Sequence, residues 1–358
     1  MQTIAIIGGG ASGLVLASEL SKNNNYKIYL IDKLDHVGKK LLVTGNGKCN
    51  LSNLNMDTSF YNHDISGLLN EFSPSFIENF FNDLGIKIVY DSDGRMYPYS
   101  RTATSVLNAL SASLGDNVTV LTNSLVSDIK KVGNKFIVRY NYSEISVDKV
   151  VLACGGKALN GTEFYKIVSD FGLSIVKDGP ALCAIRTIEQ TKSMSGLRIN
   201  ATVRLNEFKE YGEILFKDDG LSGIVIFNAS RFAKKGDIIH IDLVGEMKLS
   251  SFREIELNLP KMVAKDVIDR SKGDLNRALS ILKDYTFKVK ERYPYKFCQI
   301  MQGGIDYTEV NPITFEANKV KGLYVLGEAL DVDGACGGYN LHFAFASALS
   351  LARNLKWE

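Results

Sequence analysis

An α/β fold opening on a doubly wound parallel sheet is the class this sequence predicts, and three observations predict it. Residues Ile4 to Gly13 read I-A-I-I-G-G-G-A-S-G, an apolar run feeding glycines at Gly8, Gly10 and Gly13. A helical pattern follows at Leu14, Leu16, Ala17 and Leu20. A second apolar run, Ile28-Tyr29-Leu30-Ile31, then ends in Asp32, nineteen residues past Gly13. Far downstream, Val150-Val151-Leu152-Ala153-Cys154-Gly155-Gly156 is an apolar run that stops at glycine, as a parallel strand does beside a ligand, and Gly322-Leu323-Tyr324-Val325-Leu326-Gly327-Glu328 reads as a strand ending in Gly and an acid.

The first element carries the chemistry. Gly8 permits a tight strand-to-helix turn, Gly10 lets the backbone approach a pyrophosphate, and Gly13 lets helix and strand pack closely. The helix amides, including those of Ala11 and Ser12, then face the phosphates. Asp32 is placed to accept hydrogen bonds from ribose hydroxyls. Next comes Gly38 to Asn53, G-K-K-L-L-V-T-G-N-G-K-C-N-L-S-N, which has too many glycines and amides for a plain helix and reads as a ligand-wrapping loop. Ser73-Pro74 supplies a cap and a first-turn proline, and Phe76, Ile77, Phe80, Phe81 and Leu84 form a core-facing helical stripe.

From Val118 to Val147 four short alternating runs predict a β-meander. Residues from about Ala184 to Phe297 mix β-like runs with helical patterns near Leu259 to Ile268 and Leu275 to Leu282, and read as an inserted substrate or cap domain. Gly337-Gly338-Tyr339-Asn340 opens a last apolar helix through Leu341, Ala344, Ala348 and Leu351, expected to pack back on the first domain. At 358 residues, two or three domains are expected.

Composition is that of an ordinary globular protein, 45% hydrophobic and 23% charged, and a net charge of +2 leaves partners undefined. Cys49, Cys154, Cys183, Cys298 and Cys336 are odd in number and far apart, which argues against a disulfide framework or a zinc site and fits a reducing cytoplasm. The apolar N-terminus lacks the basic flank of a signal peptide. No run has the length of a membrane span, and the four histidines show no metal spacing. With one glycine fingerprint and no C-x-x-C, a dithiol relay is not expected.

Four separated motifs together resemble one family: the N-terminal glycines, T-G-N-G-K-C-N at Thr44 to Asn50, G-R-M-Y-P-Y-S at Gly94 to Ser100, and G-L-Y-V-L-G-E-A-L-D-V-D-G-A-C-G-G-Y-N at Gly322 to Asn340. They resemble the BaiN/YhiN-like flavoproteins, also called the aminoacetone oxidase family of FAD-binding enzymes, over nearly the whole chain. The resemblance implies an FAD-binding Rossmann-like domain of the glutathione-reductase type (residues 1–183 and 299–358). A β-rich domain (184–250) and a small helical part (251–298) interrupt it. It implies FAD contacts from Gly8, Gly10, Ala11, Ser12, Gly13, Asp32, Lys33, Lys40, Thr44, Gly45, Asn50, the Val126 backbone, Cys154, Gly155, Gly327, Glu328, Gly337, Gly338, Asn340 and Leu341.

Departures fall where a substrate is expected. The usual T-G-G-G-R-C-N carries Asn46 and Lys48 here, and the stretch after Gly156 is shortened to Lys157-Ala158-Leu159-Asn160-Gly161-Thr162. Cys49 is a candidate proton donor, or a buried structural thiol. Arg95, Tyr97 and Tyr99 are candidates for an anionic or carbonyl substrate, or belong to a solvated turn. The resemblance implies a flavin-dependent oxidoreductase in which NAD(P)H visits transiently. Its reductase form saturates a conjugated C=C bond, in a uridine of ribosomal RNA or a small enone. The alternatives are an amine oxidase of the aminoacetone type and a non-catalytic, FAD-stabilised RNA-binding or assembly protein.

Overall fold

The computed structural model describes residues 1–156 and 163–355; the shortened stretch Lys157 to Thr162 lies outside them. The chain divides into two compact units, Met1–Gly179 with Ile300–Glu358, and Pro180–Gln299.

The first unit opens with β1 (Gln2–Ile7), α1 (Ala11–Ser21) and β2 (Tyr26–Ile31), then the short helix α2 (Lys39–Val43) and β3 (Ser52–Asn53). Two helices, α3 (Ser66–Glu71) and α4 (Pro74–Asp83), lead to β4 (Ile88–Tyr90), β5 (Arg95–Pro98) and α5 (Ala103–Ala112). The Ser73 hydroxyl caps α4 by accepting from the Phe76 amide, as the Ser-Pro pair predicts. There follow β6 (Val118–Leu121), β7 (Val126–Val132), β8 (Lys135–Tyr140), β9 (Ser143–Val147), β10 (Lys149–Leu152), α6 (Glu163–Asp170) and β11 (Ile175–Ala181).

The second unit is a closed six-stranded barrel of β12 (Ile185–Thr187), β13 (Arg198–Leu205), β14 (Phe208–Lys217), β15 (Gly220–Ser222), β16 (Ile238–Asp242) and β17 (Tyr285–Arg292), in the order β12-β15-β14-β13-β16-β17. Alternate residues fill it: Ala201, Val203 and Leu205, then Ile239 and Ile241, then Tyr285, Phe287 and Val289. The helices of this unit are α7 (Ile224–Ser230), α8 (Phe252–Asn258), α9 (Lys261–Ser271) and α10 (Leu275–Lys283). The chain then returns to the first unit as β18 (Ile300–Ile305), β19 (Leu323–Val325) and α11 (Tyr339–Asn354).

The parallel sheet of the first unit runs β19-β10-β1-β2-β6. All four residues of β10 are buried, as is the core of β1, because helices cover both faces of such a sheet. The last helix, α11, packs along α1, and its apolar residues from Phe343 to Leu351 are buried nearly all round.

Two expectations change. The run Val118–Leu121 leaves the meander and joins the parallel sheet, with Ile28 opposite Val118 and Ile31 opposite Leu121, so the meander consists of β7, β8 and β9. The stretch 251–298 is helical only in its first part. Its period-2 residues Tyr285, Phe287 and Val289 make β17, which closes the barrel between β16 and β12.

Candidate dinucleotide site

The three fingerprint glycines do different work. Gly8 has φ +110°, and a Cβ there would lie 2.5 Å from the Ala153 carbonyl oxygen at the end of β10. At Gly13 a Cβ would lie 1.9 Å from the Gly8 carbonyl oxygen, so this glycine lets α1 seat on the turn. Gly10 is the opposite case, for a Cβ there meets no atom within 4 Å. It faces open space, the side from which a phosphate would come. Gly10 is also the N-cap of α1, with no side-chain cap and no acid in the first turn, which leaves the first amides (Ala11, Ser12, Gly13) without intrahelical partners. Asp32 pins this loop: Oδ2 accepts from the Gly9 amide at 2.8 Å and Oδ1 from the Leu34 amide at 2.9 Å. Its backbone carbonyl accepts from the Ser124 amide, which brings the start of β7 and Val126 to the same edge. Lys33 lies near Cys154, whose thiol burial pushes up to about 12, so it stays protonated.

Across the sheet, the ends of β10 and β19 supply the second wall. Gly155 has φ +64°, and a Cβ there would lie 3.5 Å from Glu328 Oε2. Gly327, at φ +58°, approaches Ser12, with a Cβ position 2.9 Å from the Ser12 hydroxyl. Glu328 Oε1 accepts from the Met301 amide at 2.8 Å, and Oε2 is ion-paired with Lys40 Nζ. Lys40 and Glu328 thus meet each other at this edge.

The third wall is the loop after α2 and the start of α11. Gly45, Asn46, Gly47 and Cys49 all have positive φ, so the chain coils back left-handed. The Thr44 hydroxyl donates to the Leu41 carbonyl. Gly338, at φ +104°, lies so close to β3 that a Cβ would sit 2.4 Å from the Ser52 carbonyl oxygen and 2.8 Å from Asn50 Oδ1. That Asn50 oxygen is buried and makes no hydrogen bond. The Gly337 carbonyl accepts from Asn53 Nδ2 at 3.0 Å. Like α1, α11 starts with a glycine N-cap, no side-chain cap and no acid in its first turn, which includes Asn340 and Leu341. The Asn340 side chain is spent internally: Oδ1 accepts from the Gly334 amide and Nδ2 donates to the Gly334 carbonyl. Only its backbone amide is left for a ligand.

Other expected residues stand differently. Cys49 has no exposed surface and lies in the core, and burial pushes its thiol up to about 12, which is the behaviour of a structural cysteine. Arg95 is engaged by Asp93 at 2.9 Å and Asp91 at 3.6 Å. Tyr97 is buried in β5 beneath the Arg101 guanidinium, its hydroxyl raised by burial and then by Asp91. Tyr99 is exposed. Salt bridges and burial therefore occupy the pair expected for substrate.

Two histidines outside the expected residues are also placed by the fold. His342 is fully buried in α11, with Nδ1 2.8 Å from the Ser52 hydroxyl, and burial lowers it to about 4, so it is neutral. Between the ordinary value of about 6.5 and about 4, the unfolded chain takes up a proton that the folded chain declines. This contribution is complete above pH 6.5 and lost as pH falls, about 3 kcal/mol in all. Denaturant titrations at pH 7 and near pH 4.5 should show the loss, and His342→Gln should reduce it. The second, His63, meets Asp331 of the quoted D-V-D-G motif at 3.2 Å.

Among the described residues no His, Cys, Asp and Glu group could hold a metal, and no helix is long and apolar enough to cross a membrane. A 3-dehydro-bile acid delta(4,6)-reductase of Clostridium scindens is 29% identical over 99% of this chain and 98% of its own length. A ribosomal RNA dihydrouridine synthase of Escherichia coli is 26% identical over 98% of this chain and 97% of its own. Among solved structures, the Mycobacterium smegmatis Sdh1 complex in the apo form matches 99% of this chain and 70% of that chain, with a TM-score of 0.51 at 18% identity, a likeness of fold. The HI0933-like protein Rossmann domain model matches residues 2–354, in keeping with the resemblance of the four motifs, and the chain belongs to this family.

Proposed function

We propose that this chain holds FAD along the crevice just described and works as an NAD(P)H-dependent reductase of a conjugated C=C bond. The carrying observation is the pair of helices, α1 and α11, that start on glycine without a side-chain cap. Each presents bare amides and the positive end of a helix dipole to an anion. The residues fit FAD in order: Asp32 for the adenosine ribose, the Val126 backbone for adenine, and Gly10 to Gly13 with Lys40 for the diphosphate. Cys154, Gly155, Gly327 and Glu328 line the middle. The α11 amides with Asn50, Thr44 and Gly45 serve the ring end, where the unpaired Asn50 oxygen needs a donor. FAD supplies two-electron chemistry when bound, and these residues orient it and place positive potential at its ring.

Relatives named as a reductase and a dihydrouridine synthase, aligned over almost their whole length, favour a reduction. Both a small enone and an RNA uridine are substrates of that class, and the two differ in salt dependence, because RNA phosphates release counterions on binding. The test is anaerobic stopped-flow absorbance of the FAD-loaded protein mixed with NADPH, NADH or aminoacetone. Bleaching by a nicotinamide is expected. Bleaching only by the amine replaces the reductase with an oxidase, and failure to take up FAD removes the cofactor.

A further inference from the structure

The His63–Asp331 pair lies outside the cofactor contacts just assigned. His63 Nε2 is 3.2 Å from Asp331 Oδ2, and the imidazole keeps 27% of its side-chain surface exposed against 10% for the carboxylate. Asn62 secures the acid from behind: its Nδ2 reaches the Asp331 carbonyl at 3.3 Å, and its Oδ1 accepts from the Asp333 amide at 2.8 Å. Burial, with Asp333 adding to it, raises the Asp331 carboxyl, and His63 opposes this. The Tyr307 ring lies 5.4 Å from the imidazole, and the carboxylate of the next residue, Asp64, is held by the Ser66 amide.

The segment bearing His63 is tied to the N-terminus of α11. The Ala335 amide donates to the Phe60 carbonyl at 3.0 Å, the Asn62 amide to the Asp333 carbonyl at 3.1 Å, and the Tyr61 hydroxyl to the Tyr339 carbonyl at 2.8 Å. Phe60 and Tyr339 stack at 4.4 Å. A partly exposed imidazole, oriented by a buried carboxylate, is thus fastened to the piece of backbone that would meet the flavin ring. That is the arrangement of a general acid.

From this we infer that His63 donates the proton in the reductive step and that Asp331 is its positioning residue. The inference rests on the reductase reading. One carbon of the C=C bond takes a hydride from the reduced cofactor, which returns to its oxidised form. The other carbon takes the proton of the imidazolium, and water reprotonates the neutral imidazole.

The test uses FAD-loaded wild type, His63→Gln and Asp331→Asn, with cyclohexenone as acceptor and two readouts. In single turnover, His63→Gln should be reduced by the nicotinamide at the wild-type rate but reoxidised by the enone about 100-fold more slowly, with its acid dependence lost. Asp331→Asn should fall between the two, since the imidazole remains but loses its orienting acid. The second readout is the midpoint potential of bound FAD from about pH 5 to about pH 9. His63→Gln should change the pH dependence of that potential relative to wild type.

Wild-type reoxidation in His63→Gln, or potentials that coincide at every pH, overturns the role of His63. If the amine and not the nicotinamide bleaches the wild type, the reductase reading fails, and the potentials still decide whether His63 lies at the ring. A protein that takes up no FAD overturns both.

Discussion

Gly10→Ala should leave the apoprotein as stable as wild type and weaken FAD binding by about 100-fold, whereas Gly13→Ala should cost the fold itself. At Gly10 the backbone has φ −83°, which alanine adopts freely, and the new methyl meets no protein atom within 4 Å. A small loss of N-cap quality is offset by the lower entropy of the unfolded chain, so the net change in stability is within about 0.5 kcal/mol. The methyl instead points into the space assigned to the diphosphate. Holding the phosphates off the α1 amides removes charge-assisted hydrogen bonds of about 1.5–3 kcal/mol each, and 2.7 kcal/mol is about 100-fold.

At Gly13 the methyl would lie 1.9 Å from the Gly8 carbonyl oxygen, so α1 must lift off the turn. Overpacking of this kind costs about 1–3 kcal/mol or more, and a unit of this size loses about 2–4 °C in Tm per kcal/mol. Differential scanning calorimetry of the apoproteins, with FAD titrations followed by quenching of flavin fluorescence, separates the two effects. If Gly10→Ala binds FAD as wild type does, the open face of this loop does not carry the diphosphate.

The contrast between these glycines also shows what was legible in the sequence. Their spacing, with Asp32 at the end of the next strand, predicted a strand-turn-helix with a tight first glycine and a packed third, and the geometry of Gly8 and Gly13 agrees. β1, β2 and β10 were legible as strands of the doubly wound sheet, and β19 as a strand, because each reads as a short, largely apolar run. β6 was not, because Val118 to Leu121 is a partly exposed edge run whose alternation matches a meander as well as a sheet edge. The end of the helical stretch was missed for a related reason: β17 starts two residues after α10 ends, with Asp284 alone to mark the change of period.

Glycines that the fold requires were readable, since a positive φ or a close backbone approach leaves a mark in the sequence. Side-chain pairs were not. His63 with Asp331 and Ser52 with His342 are 268 and 290 residues apart, and no local pattern encodes such meetings. Arg95 is a different case: Asp91 and Asp93, which pair with it, precede it in the same turn, and residue type alone does not say whether they turn to it or to solvent.

Lys40 and Glu328 give the other large expected effect, and its sign is the useful part. The two are ion-paired at the edge where the diphosphate is proposed to lie, and their side chains remain 28% and 20% exposed. An ammonium cannot serve the carboxylate and the diphosphate in full at once, so FAD binding should draw Lys40 toward the phosphates and leave Glu328 anchored by the Met301 amide. Lys40→Met removes one charged hydrogen bond to the ligand, worth about 1.5–3 kcal/mol, which is about 10- to 100-fold in FAD affinity. Its salt dependence should flatten.

Glu328→Gln acts the other way. The amide oxygen still accepts from Met301, the anion facing the phosphates is gone, and Lys40 no longer has to be drawn off, so FAD should bind a few-fold more tightly at low salt. The double variant should depart from the sum of the two single effects, because part of the gain from Glu328→Gln depends on the ammonium it releases. Such non-additivity is the signature of a shared interaction. Fluorescence titration of the four proteins at two salt concentrations measures it. Equal weakening by both single substitutions would mean that the pair holds the crevice together as a unit and that Lys40 never leaves its carboxylate.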